Sequence, residues 1–176
     1  MADIRDPSSY EQAIQENTKV LYVETMTNPT LKVCDLSAMA ELAKENNLIS
    51  VVDNTFVSPW SCNPIEMGFD IVIHSGTKYL GGHSDLTAGF VAGKKTLVAE
   101  IFHNKIYLGG AADPHMCYLL ERGMRTLHAR MPIHASNSAE IAKRLENHEM
   151  IEKVIHTSLS NHPDFEIANR IMPRGS

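Results

Sequence analysis

Three short apolar runs, each closed by a polar residue, constrain this chain most. Lys19-Val-Leu-Tyr-Val-Glu24, Leu48-Ile-Ser-Val-Val-Asp53 and Asp70-Ile-Val-Ile-His-Ser75 are too short for core helices and rich in β-branched residues, as buried parallel strands are. Between the first two, Asp35 is placed to cap a helix through Leu36, Met39, Ala40, Leu42 and Ala43 to about Asn46, with apolar spacings of three and four. Strand, helix and strand in that order form a right-handed parallel unit. An α/β fold with a mostly parallel sheet flanked by helices follows, and in such sheets ligands bind beyond the carboxyl ends of the strands.

The third run leads directly into Gly76-Thr-Lys-Tyr-Leu-Gly-Gly-His-Ser-Asp85. Lys78 therefore stands just past a strand end, after the hydroxyls of Ser75 and Thr77 and before a glycine pair that breaks regular structure. A lysine amine in a partly desolvated site can lose its proton and attack an aldehyde, while neighbouring hydroxyls donate to a phosphate. Pyridoxal phosphate requires both, together with a carboxylate for its ring nitrogen. Asp53, at the end of the second run, is the candidate. The ordinary alternative for Lys78 is an ion-paired surface lysine.

Other chemistries fit less well. The net charge of −5 leaves no basic footprint for nucleic acid, and no apolar stretch approaches membrane-spanning length, so a cytoplasmic protein is expected. Cys34, Cys62 and Cys117 form no Cys-x-x-Cys pair, which argues against a disulfide framework or a zinc site. His74 and His83 flank the lysine with Asp85 nearby, but they lack the spacing of helical metal ligands, so no metal is expected. The glycine pair follows the lysine rather than preceding it, unlike a P-loop.

Along the rest of the chain, Tyr10 to Glu16 is expected as a short helix, and Asn63-Pro64 with Gly68 brackets a helical connection. Ala88 to Gly93 reads as a strand turned antiparallel, and Lys94-Lys95 as a solvated pair. Leu97 to His103 reads as a helix ended by Gly109-Gly110. Asp113-Pro114 starts a long helical stretch, with Ala139, Ile141, Ala142 and Leu145 marking a second helix. Ile151 to His156 is expected as a strand, and Asn161 to Asp164 as the opening of a last helix.

Val52-Asp-Asn-Thr-Phe56, the segment Ser75 to Asp85, Glu24-Thr-Met-Thr-Asn-Pro29 and Arg122-Gly-Met-Arg-Thr-Leu-His128, in this order and spacing, resemble the Cys/Met-metabolism family of pyridoxal-phosphate enzymes. The resemblance implies the fold-type I transferase-like architecture of that class. It assigns the aldehyde-binding and proton-transfer lysine to Lys78 and the partner of the ring nitrogen to Asp53. Asn28 would contact the ring hydroxyl, Thr55 would join the contacts near the ring, and Ser75 and Thr77 would contact the phosphate. Asn28-Pro29 as a turn and Thr55 as a plain loop residue remain the alternatives.

Family enzymes are more than twice as long, so the chain resembles a middle segment. Residues 1–130 would be the later part of the large cofactor domain, and 131–176 a linking helix and the start of a small α/β domain. The activity implied is carbon–sulfur lysis of a small sulfur amino acid in trans-sulfuration, nearest to elimination of the cystathionine γ-lyase type. Thiol amino acid, ammonia and oxo acid would be the products, and the assembly a homo-oligomer, a dimer of dimers. The other possibility is a catalytically silent chain that binds cofactor weakly or associates with full-length subunits.

Overall fold

The computed structural model describes residues 2–175. The sheet has four strands in sequence order: β1 (Val20–Glu24), β2 (Ile49–Asp53), β3 (Ile71–Ser75) and β4 (Gly89–Gly93). The first three are parallel, with Val23 opposite Val52 and Val52 opposite Val72, while β4 runs antiparallel to β3. That is the architecture expected from the apolar runs and the Ala88–Gly93 segment.

Strand alternation then divides the sheet. Leu21, Val23, Val52 and Val72 face one way and are buried. Over them lies α2 (Leu36–Glu45), which buries Leu36, Met39, Ala40, Leu42 and Ala43. The Asp35 carboxylate caps it by accepting from the Ala38 amide at 3.3 Å. Burying a leucine or methionine of this stripe is worth roughly 1.5–3 kcal/mol against leaving it in water. Cys34 and Cys62 lie in the same core, where burial pushes both thiols up to about 12. They are poor nucleophiles near neutral pH.

The connections include α3 (Ser58–Ser61) and a 3-10 turn at Pro64–Met67, where the bracketed helical connection was expected. After β4 come α4 (Lys95–Leu108), α5 (Pro114–Met124) and α6 (Leu127–Glu146). A final helix, α7 (Phe165–Ile171), contributes Ala168 and Ile171 to the core that α2 occupies.

Two expectations fail. The first helix, α1, is Pro7–Glu11 and not Tyr10 to Glu16: the Asp6 side chain caps it and proline occupies the first turn. Beyond Gln12 the backbone closes only isolated turns, since so short a polar segment has little to sustain a helix. Ile151–His156 forms no strand. It pairs with none of the four strands, and a lone strand leaves its ladder groups to water. Lys94 is not merely solvated, for its Nζ lies 2.5 Å from Asp70 Oδ1.

Candidate active site

The loops after β1, β2 and β3 meet at the carboxyl edge of the sheet. Asn28 comes from the first, Thr55 from the second, and Thr77 and Lys78 from the third. All four line one cavity of about 920 Å³. Adjacent parallel strands deliver these loops side by side, so residues distant in sequence converge.

The lysine segment is a tight turn. Gly76–Leu80 closes with the Gly81 amide donating to the Gly76 carbonyl at 2.8 Å, and the Gly82 amide donates to the Lys78 carbonyl at 2.8 Å. Lys78 itself departs from helical geometry, with φ −90° and ψ −124°. Its side chain is exposed at the cavity, so these residues alone do not supply the desolvation expected for the amine. His83 fixes the following loop through a 2.7 Å contact between Nδ1 and the Gly81 carbonyl.

Asp53 and Ser75 do not line the cavity; they sit on the strand ends behind it. Thr55 links them to it. Its amide donates to Asp53 Oδ1 at 2.9 Å, and its Oγ1 accepts from the Ser75 amide at 2.7 Å. Thr77 Oγ1 accepts from the Ala88 amide at 3.2 Å. A threonine hydroxyl that accepts from an amide still has its own proton to donate. Both threonines can therefore give that proton to an anionic oxygen in the cavity. The half-buried Asp53 lies near Tyr22, whose hydroxyl is raised by burial first and then by the charges of Asp53 and Glu24.

Sequence reasoning missed the wall contributed by α6, where Arg130 and His134 join the cavity. The His134 ring stands 5.7 Å from that of Tyr79, centroid to centroid. Arg130 Nη2 donates to the carbonyls of Tyr79 and Gly123, each at 2.9 Å. The available signal was glycine: a Cβ on Gly82 would overlap the Arg130 guanidinium, and one on Gly123 would overlap the Gly81 carbonyl. Among the described residues no His, Cys, Asp and Glu group could hold a metal ion.

A sequence model of the Cys/Met metabolism PLP-dependent enzymes matches residues 1–176. The chain belongs to that family. It is 41% identical over 172 residues to a cystathionine beta-lyase of Coxiella burnetii, covering 97% of this chain and 44% of that protein. Against a cystathionine gamma-lyase of Bacillus subtilis the identity is 43% over 167 residues, with 94% and 44% covered. An L-methionine gamma-lyase of Treponema denticola is 38% identical over 174 residues, with 97% and 43% covered. The crystal structure of cystathionine gamma-lyase from Lactobacillus plantarum complexed with L-serine superposes with a TM-score of 0.94 at 41% identity, covering 97% of this chain and 45% of that one. The chain thus spans less than half the length of these relatives. Their likeness places its fold in the type I class of pyridoxal-phosphate enzymes.

Proposed function

We propose that this chain forms the cofactor-side wall of a pyridoxal-phosphate-dependent lyase acting on a small sulfur amino acid. The observation that carries it is the convergence of Asn28, Thr55, Thr77 and Lys78 on one cavity at three consecutive strand ends. The residues present fit the cofactor by their chemistry. The pair of threonine hydroxyls with protons to give suits anionic oxygens, the free amine suits an aldehyde, and the carboxylate at the end of β2 suits a protonated ring nitrogen.

When bound, the cofactor supplies an electron-withdrawing ring that stabilises negative charge at the substrate α-carbon. The chain's own residues do the rest. Lys78 would hold the group at its aldehyde through Nζ, and the same amine would serve as base for the substrate α-proton. Asp53 would hold a proton at the ring nitrogen, Asn28 would orient the ring hydroxyl with Thr55 beside it, and Thr77 with Ser75 would hold the phosphate. In the net reaction a carbon–sulfur bond breaks and water is taken up, giving a thiol amino acid, ammonia and an oxo acid. Elimination of the cystathionine γ-lyase type is the specific form we favour.

The same reading gives residues 1–130 to the large cofactor domain and 131–176 to a linking helix and the start of the small one. It makes the protein a cytoplasmic homo-oligomer, a dimer of dimers. The uncovered apolar residues of α4 support assembly, and no described helix is long and apolar enough to cross a membrane.

The test is incubation with pyridoxal phosphate, reduction with borohydride and peptide mapping. A label on Lys78 that disappears in Lys78→Ala is expected. Label scattered over Lys94, Lys95 and other surface lysines would sink the assignment. The exposure of Lys78 favours a second reading, a catalytically silent chain that binds cofactor weakly or joins full-length subunits. Labelling of Lys78 only after full-length protein is added would decide for that reading.

A further inference from the structure

Arg130 is anchored in an unusual way for a helix-surface arginine. From the first turns of α6 it reaches back to the lysine-bearing turn, where Nη2 bridges the Tyr79 carbonyl and the Gly123 carbonyl. Its Nε donates to Thr126 Oγ1 at 3.0 Å, and that hydroxyl donates to the Gly123 carbonyl at 3.1 Å. Its Nη1 is buried against Gly82 with no hydrogen-bond partner among the described residues. A donor that meets no protein group adds nothing to stability, so packing alone explains this arginine poorly.

The position explains it better. Tyr79 directly follows Lys78, and the Gly82 amide closes the turn onto the Lys78 carbonyl. The guanidinium therefore holds the turn just past the reactive side chain, by the Tyr79 carbonyl and by packing on Gly82. Gly82 has φ +77° and no room for a side chain beneath that guanidinium, while Gly123 brings the end of α5 into contact with Leu80 and Gly81. The rigid guanidinium holds Nη2 on the two carbonyls while Nε stays on Thr126 Oγ1, a pair of fixed donors that a lysine ammonium cannot reproduce.

We infer that Arg130 is a positioning residue for Lys78, locking the Gly76–Gly82 turn to the joint between α5 and α6 so that the amine points into the cavity. This rests on the role proposed for Lys78, and it adds a device that acts on the turn through its backbone.

The test uses the protein with pyridoxal phosphate. Arg130→Ala is expected to lower the yield of borohydride-stable label on Lys78 at limiting cofactor by about tenfold or more, since small misplacements of a reacting group are costly. Added ethylguanidinium restores the yield, whereas ethylammonium and Arg130→Lys do not. An unchanged yield in Arg130→Ala, or a full yield in Arg130→Lys, would overturn the inference.

Hydrogen exchange without cofactor gives a second readout. The Gly81 and Gly82 amides are expected to exchange at least about tenfold faster in Arg130→Ala, with the β1–β3 amides unchanged. Should the unaltered protein take no label on Lys78, the proposed function fails and exchange still decides the clamp: unchanged Gly81 and Gly82 rates overturn it. Should Arg130→Ala fail to fold, Gly82→Ala, which displaces the guanidinium and leaves every hydrogen-bonding group present, is expected to accelerate Gly81 exchange, and unchanged exchange there overturns the clamp.

Discussion

The helices α2 and α4 meet opposite fates in one chain. In ten residues α2 buries five apolar side chains, whereas α4 has fourteen residues and buries none. The difference lies in how the apolar residues are arranged. Those of α2 recur at three and four and form one stripe, which fits against Val23 and Val52. Those of α4 lie on more than one side, and Ile101, Phe102, Ile106, Tyr107 and Leu108 stand 39–85% exposed. A helix apolar on several sides needs cover on several sides. The sheet repeats the contrast, since Leu21 and Val23 are 5% and 2% exposed while Val20 and Tyr22, on the other face of β1, are 48% and 49%. Parallel sheets are normally covered on both faces. The open face of β1 lacks such cover among the described residues.

The sharpest way to break the comparison is to truncate one leucine in each helix. Leu36→Ala, at a fully buried site, is expected to cost about 2–5 kcal/mol in urea unfolding. Leu108→Ala, 85% exposed, should change stability by no more than about 0.5 kcal/mol. Equal costs would mean that α4 is covered in solution, by a second copy.

A smaller loss is expected where the two ends of the chain are tied together. Asp164, buried, accepts from Arg5 Nε at 2.8 Å and from the Val33 amide at 2.9 Å. Asp164→Ala leaves the amide unpaired and frees a partly exposed arginine, so about 3 kcal/mol should be lost in the same assay. A loss below that of an exposed leucine would show that the terminal tie is idle.

Much of this was legible in the sequence for a physical reason. Strands β1, β2 and β3 announced themselves because buried strands must be apolar, and α2 because a one-sided helix must be periodic. Asp35, Asp113 and Gly109 marked helix ends through local chemistry that needs no tertiary context. Ile151–His156 misled because strand composition says nothing about whether a neighbour exists to pair with. In the site, Lys78 and Thr77 were legible from a strand end and Asn28 and Thr55 through the family resemblance, and all four line one cavity. Arg130 was not, since its role depends on α6 folding back over a turn 51 residues earlier, and local pattern does not encode that contact.

pH sharpens the contrast between packed and open faces in another way. His74, on the packed side of β3 beside Phe90, has its pKa lowered by burial, with Asp53 opposing the shift. His156 is lowered too, by burial and then by His162. A histidine whose folded pKa is depressed is kept neutral by the fold, so its contribution is whole above the unfolded value near 6.5 and is lost as pH falls through that value toward the folded one. The urea midpoint should therefore be lower at about pH 5 than at about pH 7.5. His74→Phe should flatten that difference. An identical pH dependence in the variant would remove His74 from the effect.

The smallest effect is expected at the edge of the sheet. Lys94 is 66% exposed and its partner Asp70 14%. Burial raises the Asp70 carboxyl, but hydrogen bonds from Lys94 and Ser50 outweigh that and hold it below the usual carboxylate value. The two ends of this ion pair are unequal. Asp70 Oδ2 also accepts from the Ser50 amide at 2.9 Å and from its hydroxyl at 3.1 Å, so losing the carboxylate strands groups inside the sheet. Lys94 can be lost to water alone. Lys94→Ala should cost under about 1 kcal/mol, and less at high salt, whereas Asp70→Ala should cost about 1–3 kcal/mol with little salt dependence. Equal costs, both vanishing in salt, would mean that the Ser50 contacts contribute nothing and that the pair is only a surface attraction.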